Sequence, residues 1–467
     1  MSTKDYIRED TIAATATAIG PGGIAITRIS GDDASSLLKR IFRMAQKGGK
    51  PHGEMSSHRL YYGHIVDPDT LTVLDSALAV LMKSPHSYTG EDVAEIHSHG
   101  GYLLPKKLLE LCCKHGARPA LPGEFTLRAF LNGKMDLAQA EAVSDVVNAE
   151  TEESLRIAEE QLEGAMSRMV HQYNETILDA LAEVEAQVDF PEEDINPSTK
   201  NHLEISISAV KENIEALTKT FEEGRIIKHG VKTAIVGKPN VGKSSLMNRL
   251  LMKDRAIVSP KPGTTRDFIE EPISAGGIPL RLVDTAGMRT ASDDIEHAGV
   301  EVAKKKASEA ELVIAVFDGS RNLDDDDRSV LREVGEKCTI VVVNKCDLES
   351  VLDERALRCI AHSKRIMRIS AKTGAGIKEL KEAIEETLLG RNRSTDGFVI
   401  TELRHREALE KASGALSRFL DALRSGESLE FLALDLRLAL DGIGEITGET
   451  TTEDLLGRIF SKFCIGK

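Results

Sequence analysis

The sequence predicts a multidomain fold: a mixed α+β N-terminal domain, an all-α helical domain, and an α/β domain with a doubly wound, mostly parallel sheet inserted into the helical one. Three observations predict it. The 467 residues exceed what one hydrophobic core serves. Residues 222–390 alternate short apolar strands with helix-like stretches, the pattern of a doubly wound sheet. Apolar stripes with helical spacing lie on both sides of that segment. The predicted units are 1–122, then 123–221 as the first helical half, 222–390 as the insert and 391–467 as the second half.

In the first unit, Gly23–Ser30, Leu60–Val66, Ala77–Met82 and Val93–His97 are strand candidates between Gly/Pro clusters. Ala34–Met44 and Leu103–His115 carry helical patterns. From about Thr126 the texture changes to long helices. Leu155, Leu162, Met166, Met169, Tyr173, Ile177, Leu181, Val184 and Val188 keep one stripe in register through gaps of three, four and seven. Phe190-Pro-Glu-Glu-Asp-Ile-Asn-Pro197 interrupts it, and a second stripe follows at Leu203, Ile207, Val210, Ile214, Leu217 and Phe221. Both stripes read as bundle core. The insert strands are Thr233–Val236, Leu280–Val283, Leu312–Phe317, Ile340–Val343 and Ile366–Ile369. Beyond Thr401 helices return at Leu409, Ala412, Leu416, Phe419 and Leu423, then Leu429–Leu440. Two helical halves that need each other are expected to transmit motion of the insert.

Composition narrows the function. A net charge of −15 argues against a surface that coats nucleic acid, and 4% aromatic residues argue against a base-stacking platform. Six cysteines without a CxxC pair fit a reduced, cytoplasmic setting. The N-terminus is polar and charged, unlike a secretory signal, and no apolar run reaches the length of a membrane span.

Gly237-Lys-Pro-Asn-Val-Gly-Lys-Ser244 is a complete phosphate-binding loop between the strand Thr233–Val236 and the helical stretch Ser245–Leu251. Its backbone N–H groups, through Asn240, Val241, Gly242, Lys243, Ser244 and Ser245, can converge on phosphate oxygens. Lys243 is placed to reach the β- and γ-phosphates and Ser244 to give its hydroxyl to Mg²⁺. Gly263, Thr264 and Thr265 form a switch-like loop whose Thr265 hydroxyl also suits Mg²⁺. Asp284, Thr285, Ala286 and Gly287 close a strand: the aspartate suits water-mediated Mg²⁺ contact, and the Gly287 N–H suits the γ-phosphate.

Asn344-Lys-Cys-Asp347 ends another strand. The Asp347 carboxylate can accept from N1–H and the 2-amino group of guanine, a donor pair that adenine lacks. Lys345 can lie along the base, and Asn344 can brace the loop. Ser370, Ala371 and Lys372 can offer backbone N–H groups to guanine O6. Taken in order, each at a strand's C-terminal end, these motifs specify GTP. Met288 stands where many small GTPases have a water-orienting glutamine, so another group must do that work; Asp293, Asp294 and Glu296 are the nearby acids. A ribosome-assembly or RNA-binding GTPase switch shares all these motifs, although such proteins usually add a basic module.

Three features together resemble the MnmE (TrmE) family of tRNA-modification GTPases over essentially the whole length. They are the inserted GTPase segment, the run from Arg118-Pro-Ala-Leu-Pro-Gly-Glu-Phe to Ala140-Glu141, and the ending Phe463-Cys-Ile-Gly-Lys467. The resemblance implies a homodimer formed through folate-binding N-terminal domains, with Arg28, Glu95, Lys134 and Lys467 contacting a 5-formyl- or 5,10-methylene-tetrahydrofolate. It implies a flavoprotein partner of the MnmG (GidA) type that uses FAD and NADH, in a heterotetramer sharing tRNA. Together the two place an aminomethyl-type group on C5 of the wobble uridine. It further implies K⁺ at Asn240, Ser259, Lys261 (by its carbonyl) and Thr264, driving contact between two GTPase domains and hydrolysis. Glu296 becomes the water-orienting carboxylate and Cys464 a residue needed for modification. Pro260 and Pro262 depart from the family's switch sequence and bear on the K⁺ loop. His97 and His99 lack a further ligand set, and a loop or pocket-lining role is expected for them.

Overall fold

The computed structural model describes residues 10–45, 54–189, 197–253, 273–282, 309–361, 364–390 and 398–467. The N-terminal unit runs β1 (Ile12–Thr15), β2 (Gly20–Ser30), α1 (Ala34–Ile41), β3 (Phe42–Met44), β4 (Tyr61–Val66), β5 (Val73–Met82), β6 (Val93–Gly101), α2 (Leu103–Lys114) and β7 (Arg118–Pro119). Its seven-stranded sheet has the order β3-β4-β5-β6-β2-β1-β7, and only the β1–β7 pair is parallel. Leu37, Leu38 and Ile41 of α1 and Leu108 and Leu111 of α2 bury one face against Ile29, Ile65, Leu81 and Ile96. The other face is covered at its β1 end, where Phe125 and Tyr88 pack on Ile12 and Ala14, and is open beyond. Ile24 is 67% exposed, Tyr62 56% and Leu78 40%.

One helix is shorter than its pattern predicted. Ala34–Met44 is helical only to Ile41, because Phe42 turns extended and Phe42–Met44 pairs antiparallel with β4 at the sheet edge. Phe42 thereby buries its ring in the same core.

The helical elements are α3 (Glu124–Leu131), α4 (Leu137–Asn148), α5 (Glu152–Leu162), α6 (Ala165–Asp189), α7 (Pro197–Lys219) and α8 (Phe221–His229). The single stripe predicted from Leu155 to Val188 is two helices. Gly164, at φ +81°, takes a left-handed turn that few other residues adopt, and α6 starts afresh after it.

The insert is β8 (Val231–Val236), α9 (Lys243–Lys253), β9 (Ile273–Ala275), β10 (Ile278–Leu282), β11 (Leu312–Asp318), α10 (Asp325–Val334), β12 (Thr339–Asn344), α11 (Glu354–Ala361), β13 (Arg365–Arg368) and α12 (Ile377–Leu389). Its sheet order is β13-β12-β11-β8-β10-β9, parallel except for the β9–β10 hairpin, of which the sequence reading included only the β10 strand. Then α13 (Leu403–Ser425), α14 (Leu429–Thr447) and α15 (Glu453–Phe460) return the chain to the bundle. Residues of α6, α7, α13 and α14 share one core, so the two helical halves close on each other. A smaller cluster joins α3 and α4 to α15 and Phe463.

Charged groups fasten the insert to this bundle. Lys228, the penultimate residue of α8, has its ammonium 2.7 Å from the Asp145 carboxylate on α4 and also bonds Glu402 at the head of α13. Burial and the neighbouring Glu402 push Asp145 upward, while Lys228 holds Glu402 down against its own burial. One turn earlier on α4, Glu141 accepts from Arg404 at 3.1 and 2.7 Å and lies 2.9 Å from His405 Nε2.

Burial works to raise the Glu141 carboxyl, yet His405 and Arg404 outweigh it and hold the group at about 2. A folded value below the unfolded 4.5 means stability that is complete above pH 4.5 and drains away as pH falls toward 2. The loss expected over that window is on the order of 3 kcal/mol. Urea midpoints measured from pH 5 to 2.5 check this: Glu141→Gln should flatten the wild-type slope, and parallel slopes would contradict it.

Candidate functional site

The strand β8 ends at Val236 and α9 begins at Lys243, so the phosphate loop occupies the six residues between them. Gly242 has φ +98°, and a Cβ there would stand 2.1 Å from Asn344 Nδ2. No side chain fits. The Leu246 N–H donates to Gly242 O at 2.9 Å and starts the helix, leaving the first N–H groups of α9 directed into the loop. Lys243 folds over the loop and donates to the carbonyls of Gly237 and Lys238 at 2.8 and 2.6 Å. An open cavity of about 410 Å³ is lined by Asn240, Gly242, Lys243, Ser244, Ser245, Asn344, Lys345, Asp347, Leu348, Ala371 and Lys372. Three motifs whose joined residues lie 103 and 27 positions apart along the chain therefore face one space.

Asn344 ties them together. Its amide donates to Val241 O at 2.8 Å and accepts from the Ala371 N–H at 2.9 Å. Asp347 accepts from Ser370 Oγ at 2.6 Å, and this bond first of all keeps its carboxyl below the usual range. The carboxylate stays ionised and fixed at the cavity rim. Lys345 takes the left-handed conformation at φ +66° and points its ammonium to Asp318. Arg249 of α9 donates to Lys372 O at 2.8 Å, holding the third loop from outside.

The expectation that Ser370, Ala371 and Lys372 offer backbone N–H groups to the base needs correction for the first two. The Ser370 N–H bonds Ala375 O and the Ala371 N–H bonds Asn344 Oδ1, so both donors are engaged within the protein although Ala371 lines the cavity. Leu348 and Arg249 were not singled out from sequence. Leu348 directly follows the aspartate of its motif, which is a usable signal; Arg249 has none. Ser259, Lys261, Gly263, Thr264, Thr265, Asp284, Thr285, Ala286, Gly287 and Glu296, with Pro260 and Pro262, lie outside the described residues.

A second constellation lies on the open face of the N-terminal sheet. Alternation puts Ile24, Ile26 and Arg28 of β2 on that face, and register sets Arg28 opposite Glu95 of β6. Arg28 donates to Glu95 at 2.8 Å and to the Gly466 carbonyl at 3.4 Å. Its guanidinium lies 5.4 Å from the Tyr88 ring and 5.7 Å from the Phe125 ring. The Phe125 N–H donates to Lys467 O at 3.2 Å, so the last residues of the chain dock beside Arg28. Lys134 donates to Pro85 O at 3.1 Å, at the start of the loop that carries Tyr88.

Beneath lies an ion network that explains the Arg118-to-Arg128 motif. Fully buried Glu124 accepts from Arg118 at 2.6 Å and from Arg128 at 3.2 Å, and both arginines also hold Asp10. These bonds lock α3, and with it Phe125, against β1 and β7.

His97 and His99 stand in strand β6 rather than in a loop. His97 lies 3.4 Å from Glu95, and His99 bonds Asp75 at 2.8 Å, so they share no ligand geometry. Asp67, Asp69 and His115 lie close enough to hold a cation, but the Lys114 ammonium already sits 2.6 Å from Asp69 and 3.5 Å from Asp67. All six cysteines are free, and Cys464 is exposed. Among the described residues no helix is long and apolar enough to cross a membrane.

A phosphate loop at the end of a parallel strand, sharing one cavity with the Asn344-Lys-Cys-Asp347 loop, defines a P-loop GTPase. The family model described as the MnmE helical domain matches residues 137–464, bracketing the insert, and that of the GTP-binding protein TrmE N-terminus matches 11–134. The chain is 47% identical over 461 residues to the tRNA modification GTPase MnmE of Geobacter metallireducens, covering 98% of this chain and 99% of that protein. Its identity to the protein of the same description from Geobacter sulfurreducens is 47% over 463 residues, with 98% and 99% covered. For that of Acetivibrio thermocellus it is 44% over 461 residues, with 98% and 100% covered. The chain belongs to the MnmE family of tRNA modification GTPases.

Proposed function

We propose that this GTPase acts with a MnmG-type flavoprotein to build a carboxymethylaminomethyl or aminomethyl group on C5 of the wobble uridine of tRNA. A tetrahydrofolate derivative is the one-carbon donor, and FAD and NADH enter through the partner. The observation that carries this reading is the Arg28–Glu95 pair, flanked by Tyr88 and Phe125, with Gly466 and Lys467 docked on it. Such a donor set fits a folate: a carboxylate can meet the pterin's N–H edge, and cations at Arg28, Lys134 and Lys467 can meet glutamyl carboxylates. Exposed Ile24, Tyr62 and Leu78 on the same face suit a second copy of the chain, giving a homodimer around the folate. Cys464, exposed three residues before the end of the chain, is the thiol we assign to the modification step.

In the nucleotide site, Asp347 and Lys345 read and cover guanine, Lys372 serves O6, and Lys243 meets phosphate oxygens once it leaves its loop carbonyls. Ser244 and Thr265 would hold Mg²⁺, which neutralises phosphate charge. Asn240, at the cavity rim, would hold K⁺ with Ser259, Thr264 and the Lys261 carbonyl. Glu296 orients the attacking water. We take 1–122, the insert 222–390, and the helical domain that 123–221 and 391–467 build together as the working units of a cytoplasmic heterotetramer that binds tRNA.

The folate assignment is tested by titrating 5-formyl-tetrahydrofolate into the full chain. Wild type should bind, and Arg28→Ala should bind at least about tenfold more weakly; equal affinities would remove the site. In a GTPase assay with the partner, KCl should exceed NaCl, and Glu296→Ala should keep GTP binding but lose turnover. Cys464→Ser should lower wobble modification without changing GTP hydrolysis; undiminished modification would remove its role.

A further inference from the structure

We propose that Asp318 is a positioning residue for guanine recognition, anchoring the Lys345 ammonium from behind the cavity so that the lysine stem lies along the base. The inference rests on the assignment of Lys345 and Asp347 to guanine. Asp318 is the last residue of β11 and pairs in register with Asn344 at the end of β12, so it belongs to the strand-end row from which the binding loops spring. It is not itself part of the cavity lining; Lys345 is. Only 8% exposed, it places Oδ2 2.6 Å from Lys345 Nζ. Its other oxygen accepts the Ser320 N–H at 3.0 Å and the Ser320 hydroxyl at 2.6 Å, which fixes the carboxylate plane.

Two physical arguments make this pairing matter. Lys345 holds a positive φ, which disfavours any residue with a Cβ and persists only when the surroundings enforce it. The Asp318 bond supplies that enforcement on the side chain, while the Cys346 N–H to Ile369 O and the Leu348 N–H to Lys345 O hold the backbone. The second argument is electrostatic. Lys345 already acts on the Asp347 carboxylate, two residues away. An unanchored ammonium would turn to that carboxylate and occupy the oxygens that must accept from guanine. Asp318 thus keeps the base-covering lysine off the base-reading aspartate.

A double-mutant cycle on the full chain tests this, with the affinity of an N-methylanthraniloyl-labelled GDP as the readout. Asp318→Asn and Lys345→Met should each weaken binding about tenfold, the scale of one charged hydrogen bond. The double variant should be no weaker than Lys345→Met alone. Wild-type affinity in Asp318→Asn, or effects that multiply to about a hundredfold in the double variant, would overturn the proposal. Unchanged affinity in Lys345→Met would instead overturn the guanine reading on which it rests. Should Asp318→Asn not fold, Ser320→Ala replaces it in the cycle: it frees one oxygen without removing charge. Its weakening should be smaller and should vanish in the Lys345→Met background; persistence there would count against the proposal.

Discussion

Asp347→Asn is expected to weaken GTP binding at least about a hundredfold and to let XTP take its place. The wild-type carboxylate accepts from Ser370 Oγ at 2.6 Å and is held below the usual range, which on the proposed reading leaves two acceptor positions for the base edge. Guanine would fill them with N1–H and the 2-amino group. An asparagine puts an N–H where one of those donors needs an acceptor, and the mismatch costs the full price of an unpaired polar contact. Xanthine carries a carbonyl at position 2 and accepts from that N–H. Hydrolysis measured with GTP and XTP in parallel checks the exchange. Loss of both activities would point to a collapsed loop, and retained GTP preference would remove Asp347 from base reading.

Lys228→Met is expected to destabilise the chain by about 3–5 kcal/mol, because it leaves Asp145 and Glu402 facing each other without a cation. Lys228 stands three residues before β8, and its two partners come from opposite helical halves. The same substitution should therefore loosen the joint between insert and bundle. Denaturant unfolding gives the energy, and adding Asp145→Asn should restore part of it by removing one of the two repelling charges. A loss below about 1 kcal/mol would show that the triad behaves as a surface ion pair.

The nucleotide site was legible because its chemistry is written in contiguous motifs. Gly237–Ser244, Asn344–Asp347 and Ser370–Lys372 each keep their own spacing, and a parallel sheet brings all strand ends to one edge. What the motifs do to one another was not legible. That Asn344 would join Val241 to Ala371, or that Ala371 would lose its N–H to it, depends on one side chain meeting backbone groups 103 and 27 residues away. Arg28 and Glu95 could be named only through the family resemblance, since nothing in either segment marks them; the β2–β6 register is what sets them side by side.

Local patterns also misled where tertiary structure decides. The 34–44 stripe satisfies a helix until Phe42, whose burial at a sheet edge wins over continued helix. The stripe from Leu155 to Val188 stays in phase across Gly164 by coincidence of spacing, hiding a break that backbone conformation imposes. The Arg118–Glu124–Arg128 cluster was not legible as an ion network, because Asp10, which both arginines hold, lies 108 and 118 residues away in the chain.

Mass spectrometry of the wobble nucleoside tests the central claim most directly. The reaction would contain the full chain, the flavoprotein partner, tRNA, NADH, K⁺, Mg²⁺, a tetrahydrofolate donor and GTP. The account predicts a C5-substituted uridine that disappears when GTP is replaced by ATP, when the folate is withheld, or when Arg28→Ala replaces the wild-type chain. An unmodified uridine in the complete mixture, or equal modification in all four reactions, would contradict it.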